Sequence, residues 1–309
     1  MTPRVSVVIP TRNRLGSLQR ALASVEEQRF RDFEVVVVDD GSTDGTASWL
    51  QRNGRGLEII RTEQPSGAAA ARNRAIRRSQ GDLIAFLDDD DRWRPGYLGA
   101  QVAHHDANPT TDLSYVDHVE IDQHGGMTSP DTRALLDYGS VQAWLLAECF
   151  IHTMSVVVCR RAMVDRVGLL DERLTIVHDL DWYARILGQG GTIALETGWS
   201  PPLVERTVPG GLVSSHRHWF EEESEVIDRA IAATPTLAKD QRTIRAYRSM
   251  FFFRVGLAKG DLSFALRRLV DAFLASPRWA VVVAGRRLAR HASSRRGRHL
   301  RRPAALSPQ

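Results

Sequence analysis

The chain has 309 residues, 43% of them hydrophobic and 25% charged, with a net charge of +4. These proportions suit one large domain, with or without an appendage, and exclude a fibrous or wholly disordered protein. Two cysteines, Cys149 and Cys159, cannot make a disulfide framework and read as free thiols in a reducing compartment. The charge is uneven, because nine arginines and no acidic residue occur from Arg278 onward, leaving a mildly acidic body.

In chain order, Val5 to Ile9 is a β-branched apolar run ended by Pro10. It is too short for the core of a signal peptide and reads as a buried strand. Leu15, Leu18, Leu22 and Val25 then fall at helical spacing within 15–28. A second strand is expected from Glu34 to Val38, closed by Asp39-Asp40-Gly41-Ser42, followed by a short helix from Thr46 to Arg52. Leu57 to Arg61 reads as a strand, Ala68 to Ser79 as a helix and Asp82 to Leu87 as another buried strand. Strands alternating with helices imply a parallel sheet covered on both faces, with ligands beyond the carboxyl ends of the strands. Pro10-Thr11, Asp39-Asp40 and Asp88 to Asp91 all fall at such ends.

The middle is less regular, with strands expected at Leu113 to Val116 and Val156 to Cys159 and a helix at Asp179 to Leu187. After residue 220 the pattern is helical, over Phe220 to Ala233, Ala238 to Lys259 and Leu262 to Ala275. No run reaches the roughly 18 uncharged apolar residues of a membrane span. The nearest, Phe264 to Ala284, is broken by Arg267, Arg268, Asp271 and Arg278.

Four consecutive carboxylates after an apolar strand repel one another and titrate abnormally without a cation. A hard divalent ion, Mg²⁺ or Mn²⁺, resolves that conflict, whereas a solvated, helix-capping loop is the plain reading. Asp39 and Asp40 at a strand end suit a base or a ribose hydroxyl, and equally suit turn and cap chemistry. Arg72, just inside a helix after Gly67, is placed to face a diphosphate, although taken alone it reads as a surface residue.

Val5 to Arg14, Val35 to Asp44, Gly67 to Asn73 and Gly81 to Pro95 together resemble the family 2 glycosyltransferases, with GDLIAFLDDDDRWRP matching the family's DXD region. Gly168-Leu169-Leu170-Asp171-Glu172 is similar to its G-G-F-D-E segment, and His178 to Arg185 to its E-D-x-D-x-x-x-R helix start. The resemblance runs in motif order over about 4–190. It implies a GT-A fold: α/β, an open, mostly parallel sheet flanked by helices, over 1–220. A helical extension at 221–290 and a basic tail at 291–309, read as disordered, would follow.

The resemblance further implies inverting transfer from a nucleoside-diphosphate sugar to a hydroxyl of a glycan or lipid-linked acceptor. Pro10, Thr11, Arg12, Asp39, Asp40, Arg72, Asp88 and Asp89 would hold the donor, and Asp90 with Asp88 the Mg²⁺ or Mn²⁺. Asp179 matches the family's general base, and the helix dipole is expected to keep it ionised. His152, Asp181 and Trp182 are the acceptor-side candidates. Two departures stand out: His178 occupies the place of the family's Glu, and Glu205 to Gly210 lacks the family's late His. His216 and His218 read as bystanders.

The arginine tail after Trp279 suits an amphipathic anchor on anionic lipid and equally a merely solubilising tail; a cytoplasmic enzyme is expected, peripheral to the inner face of the cell membrane if the tail is an anchor. No helix-turn-helix, zinc or RNA-recognition signature accompanies it, and no nucleic-acid partner is expected. Pro10 to Arg14 lacks the Gly-x-Gly-x-x-Gly cradle, which removes a dinucleotide-dependent oxidoreductase. A sugar-nucleotide-making nucleotidyltransferase would also want a glycine-rich first loop. The remaining alternative is a catalytically degenerate sugar-nucleotide-binding or scaffolding protein.

Overall fold

The structure, a computed structural model, describes residues 2–122, 124–129, 140–196, 202–207 and 215–281. The chain divides after Ala238 into two compact units. The first opens with β1 (Val5–Thr11), α1 (Leu15–Glu26), β2 (Phe33–Asp40), α2 (Thr46–Asn53), β3 (Glu58–Thr62), α3 (Ala68–Arg78) and β4 (Leu83–Phe86). It continues through β5 (Arg92–Trp93), α4 (Tyr97–Ala107), β6 (Leu113–Val116), β7 (His118–Ile121), β8 (Met127–Thr128) and α5 (Val141–Glu148). A 3-10 turn at Met154–Val156 leads into β9 (Val157–Arg160), α6 (Arg161–Val167), α7 (His178–Gly188), β10 (Ile193–Glu196), β11 (Val204–Thr207) and α8 (His216–Ala233).

Seven strands form the main sheet in the order β10-β6-β9-β4-β1-β2-β3, and β5-β11-β7-β8 form a smaller one. All pairings in the main sheet are parallel except those of β9, which runs antiparallel to β4 and β6. Val7, Val8, Val36, Val37, Ile84 and Ala85 are fully buried, as strands covered on both faces require. Each of these valines and the isoleucine contributes about 1.5–3 kcal/mol of burial, the alanine less.

The ends of β2 and β1 run further than the sequence pattern predicts, whereas β4 stops at Phe86, short of the expected Leu87. β2 keeps its pairing through Asp39 and Asp40, and β1 continues through Pro10, opposite Val38. The proline is tolerated for a geometric reason. Val8 accepts the Leu87 N–H on the β4 side, and Pro10, two residues on, points the same way, where the β4 pairing has ended. Its missing N–H therefore leaves no ladder partner unsatisfied.

Because the chain lays β2 and β3 on one side of β1 and β4 on the other, β1 and β4 flank a topological switch point, where open α/β sheets bind ligands. The loops above that point are cross-braced. Asn13, in the left-handed region at φ 53°, accepts the Thr43 N–H at 2.7 Å through its side chain. Its own N–H donates to Ser42 Oγ at 2.9 Å. Gly41 is required at φ 74°, because a Cβ there would also meet the Pro65 nitrogen at 3.0 Å.

Among its described residues the second unit packs α9 (Gln241–Ala258) against α10 (Leu262–Ala275). Gly256 lets the helices approach, since a Cβ there would stand 3.0 Å from that of Ala265. Gly260 turns the chain at φ 72°, and the Asp261 side chain caps α10 by accepting the Phe264 N–H at 3.2 Å. One face of α10 stays exposed at Leu262, Leu266, Val270, Phe273 and Leu274. No helix among the described residues is long and apolar enough to cross a membrane. The arginine tail from 282 onward lies outside the described residues.

Candidate active site

An open cleft of about 570 Å³ lies over the switch point, inside the ~300–1,000 Å³ range of small-molecule sites. All three acidic or polar strand ends reach it: Pro10, Thr11 and Arg12 from β1, Asp40 from β2, and Asp88 to Asp91 after β4. Gly67, Arg72, His152, Thr153, His178, Asp179, Arg206 and Thr207 complete much of the wall.

The four aspartates have separate surroundings. Asp88 accepts from Arg72, and from Thr153 Oγ1 at 3.2 Å, while its N–H donates to Ser155 Oγ at 2.9 Å. Burial works against its charge, but the Arg72 guanidinium outweighs it and holds the carboxyl below the ordinary range. Asp89 is buried and accepts from Thr11 Oγ1 at 2.7 Å and Arg14 at 3.1 Å. Asp90 takes the same Arg14 nitrogen at 2.6 Å. Asp91 accepts from Thr153 Oγ1 at 3.0 Å and the Thr207 N–H at 2.9 Å.

Burial pushes Asp89, Asp90 and Asp91 upward, with Asp88 adding repulsion, and Asp91 reaches about 7. Three carboxyls in four thus resist ionisation, chiefly because they are buried and secondarily because they repel one another. The donor set is all oxygen, which fits a hard ion such as Mg²⁺ or Mn²⁺.

Arg72 is buried rather than at the surface, and it bridges two elements. One nitrogen serves Asp88 and another lies 2.9 Å from His178 Nε2. A guanidinium only donates, so Nε2 accepts and the ring is the neutral Nδ1–H tautomer. Burial, with Arg72 second, pushes His178 down to about 3, consistent with a neutral ring. Asp179 follows in the first turn of α7. Its carboxyl stays ionised at neutral pH, but with a smaller margin than a helix start alone would give. Burial dominates and raises it to about 6, although the Leu180 N–H at 2.7 Å and Arg72 pull the other way.

The other expected residues divide into wall and scaffold. Asp40 lines the cleft, but its oxygens already accept from Thr62, from the Ser66 N–H and hydroxyl, and from the Gly67 N–H at 2.6–3.1 Å. Burial opposes its charge, yet those donors hold its carboxyl low, so Asp40 also anchors the 62–67 turn. Asp39 is not among the lining residues. One of its oxygens takes the Ser42 N–H at 3.0 Å, and the other is buried without a hydrogen-bond partner.

Asp181 and Trp182, expected at the acceptor, do not line the cleft either. Asp181 is clamped by Arg185 at 2.8 Å and Arg229 at 2.9 Å. Trp182 is fully buried, donates to the Gly168 carbonyl at 3.0 Å and meets Phe86 edge-on. His152 does line it; burial, then His118 and Arg206, lowers its ring to about 4, so it is neutral.

With this geometry in hand, residues 6–168 match the model of the family described as "Glycosyl transferase family 2". The succinoglycan biosynthesis protein ExoU of Rhizobium meliloti is 32% identical over 248 residues, 76% of this chain and 71% of its own length. The chain belongs to glycosyl transferase family 2. The putative teichuronic acid biosynthesis glycosyltransferase TuaG of Bacillus subtilis is 40% identical over 103 residues. That match takes in 32% of this chain and 41% of TuaG, so less than half of that relative is spanned. Mannosyltransferase PcManGT from Pyrobaculum calidifontis, solved with GDP-Man and Mn²⁺, superposes with a TM-score of 0.61 at 21% identity, covering 94% of this chain and 81% of that one. At that identity the likeness shows the fold alone, which is GT-A.

Both departures from the family 2 pattern now have surroundings. His178, in place of the family's Glu, accepts from Arg72 as a neutral base. At the position of the late His, Arg206 and Thr207 line the cleft, and 208–214 lie outside the described residues. His218 does not line the cleft but sits 3.0 Å from Glu222, and His216 is not a lining residue.

Three contributors were not among the expected site residues, although Arg14 closes the first motif segment. Arg14 bridges Asp89 and Asp90, and Thr153 bridges Asp88 and Asp91. Glu222 of α8 accepts from the Thr175 N–H and hydroxyl at 2.8 and 2.7 Å and from the Ile176 N–H at 2.8 Å. Burial opposes that charge too, but these donors hold it low, and they fix the segment that enters α7.

Proposed function

We propose that this chain is an inverting glycosyltransferase that moves a sugar from a nucleoside-diphosphate sugar to a hydroxyl of a polysaccharide or lipid-linked glycan. The observation that carries the reading is the single cleft in which Asp179, a carboxylate raised toward neutrality, faces an array of four aspartates across Arg72. Pro10, Thr11, Arg12 and Asp40, with Asp39 behind them, bind the nucleoside, and Arg72, Asp88 and Asp89 border the diphosphate. Asp90 and Asp88 would hold Mg²⁺ or Mn²⁺. When bound, that ion neutralises charge on the departing diphosphate as a Lewis acid. PcManGT was solved with GDP-Man and Mn²⁺, which supports both the donor class and the ion.

The acceptor hydroxyl gives its proton to Asp179 as its oxygen bonds to the anomeric carbon. The bond from that carbon to the diphosphate oxygen breaks, and the electron pair leaves with the nucleoside diphosphate. A base near 6 is ionised at neutral pH yet still basic enough to accept the proton. The neutral His178 keeps Arg72 turned toward Asp88 without adding a charge that would depress Asp179. His152, on the wall, is the acceptor-side residue.

The exposed apolar face of α10 supports peripheral contact with a membrane, where lipid-linked acceptors reside. Asp179→Asn tests the assignment, with donor affinity and turnover measured on one preparation. Donor binding should persist while turnover falls by about 10²–10⁴. Full turnover would remove Asp179 as the base, and loss of donor binding would make it a binding residue. A degenerate binding protein would bind donor in both forms and turn over neither.

A further inference from the structure

A second cluster beside the cleft has a different chemistry. His118 and Glu120 are two residues apart on β7 and so project from the same face of the strand. His152, in the segment between α5 and the turn at Met154–Val156, brings its ring to 5.5 Å from that of His118, nearly perpendicular at 82°. One ligand atom from each of the three residues lies within 4.8 Å of the others. His118 is only 2% exposed, yet its Nε2 has no hydrogen-bond partner, and neither does the buried Nδ1 of His152.

Two buried imidazole nitrogens without hydrogen-bond partners in one cluster, with His118 Nε2 3.8 Å from Glu120 Oε1, demand an explanation, since a buried polar atom left unpaired costs about 1–3 kcal/mol. We propose that His118, Glu120 and His152 bind one zinc ion. Two imidazoles with one carboxylate suit a borderline transition ion, whereas the all-oxygen run at Asp88 to Asp91 suits Mg²⁺ or Mn²⁺. Tetrahedral bonds of about 2.0–2.1 Å set ligand atoms roughly 3.3 Å apart, so side-chain rotations need close the cluster by only about 1.5 Å. Glu120 Oε1 is already held by Arg206 at 2.9 Å, which orients the carboxylate beside His118.

The location gives the ion a role. Thr153, next to His152, donates to Asp88 and Asp91, and Thr207, next to Arg206, donates its N–H to Asp91. β7 and β11 are paired strands. Zinc would therefore brace the paired strands against the segment that fixes the aspartates from below. The site shares His152 with the acceptor side of the cleft, but zinc binding does not depend on the proposed transfer reaction.

The full chain, stripped with chelator and dialysed against micromolar zinc, should retain one equivalent of zinc by metal analysis. His118→Ala, His152→Ala and Glu120→Gln should each weaken binding at least tenfold. Asp90→Asn, which alters only the oxygen site, should retain the equivalent. Because His118 is buried and its variant can fail to fold, Co²⁺ titration of the unmutated chain gives an independent reading. The strong visible absorption of four-coordinate, nitrogen-ligated Co²⁺ is expected. No bound zinc, stoichiometry unchanged in His152→Ala, or zinc lost only in Asp90→Asn would each overturn the assignment.

Discussion

Replacing Asp179 by Asn removes a carboxyl that burial raises from 3.8 to about 6, and the consequence for stability can be worked through. In the folded chain this group holds its proton more tightly than in the unfolded chain. Below about pH 4 both states are protonated and the site is neutral in energy. Between about 4 and 6 the unfolded chain ionises first, so folded-state stability falls, and above 6 the full cost is present. Two units at about 1.4 kcal/mol each give roughly 3 kcal/mol, and partial exposure of the side chain reduces this to about 1–2 kcal/mol. Asn is neutral at every pH and can still accept the Leu180 N–H. Asp179→Asn should therefore be more stable than the native chain by about 1–2 kcal/mol at pH 8, a rise in Tm of about 2–5 °C. The two should melt together at pH 4. Thermal unfolding at both pH values reads the difference directly. No gain at pH 8, or an equal gain at pH 4, would refute burial as the cause of the shift.

In the active enzyme the same ionisation should appear as an acid limb in kcat/KM, with activity falling as pH drops through about 6. A pH–rate profile flat down to pH 5 would contradict it. Arg72→Ala leaves Asp88 without the cation that keeps it ionised. It should destabilise the fold by about 3–5 kcal/mol in chemical denaturation, with Arg72→Lys milder. Glu222→Ala frees the Thr175 and Ile176 donors ahead of α7. It should cost about 2 kcal/mol and, if Asp179 is the base, lower kcat more than donor KM, since Glu222 touches the segment that enters α7 and not the cleft. Leu266→Asp with Phe273→Asp should abolish flotation with anionic lipid vesicles while leaving turnover on a soluble acceptor unchanged.

Much of the fold was legible because its determinants are local. The β-branched runs at 5–9 and 34–38 need burial on both faces, and the bounds expected for α10, Leu262 to Ala275, are those observed. What misled was local chemistry overruled by packing. Pro10 reads as a strand end, yet it sits where the lost N–H has no partner to miss. Arg72 alone reads as a surface cation, but α3 presses it into the wall against Asp88 and His178. The helix start at Asp179 spoke for a low carboxyl, and only packing shows the burial that raises it to about 6. Asp181 and Trp182 share its motif, but the turn of α7 points them into the scaffold. Thr153, Arg14 and Glu222 were not visible as contributors, because their partners lie 46 to 76 residues away and only the sheet order brings them together.

The central claim is that the aspartate cleft transfers a sugar with the help of a divalent ion. Acceptor-dependent release of nucleoside diphosphate, measured across a panel of nucleotide sugars with and without Mg²⁺ or Mn²⁺, tests it most directly. Release with at least one donor, abolished by chelator and by Asp90→Asn and restored to the native chain by added ion, is the predicted result. Turnover that persists without the ion, or full activity in Asp90→Asn, would contradict the account.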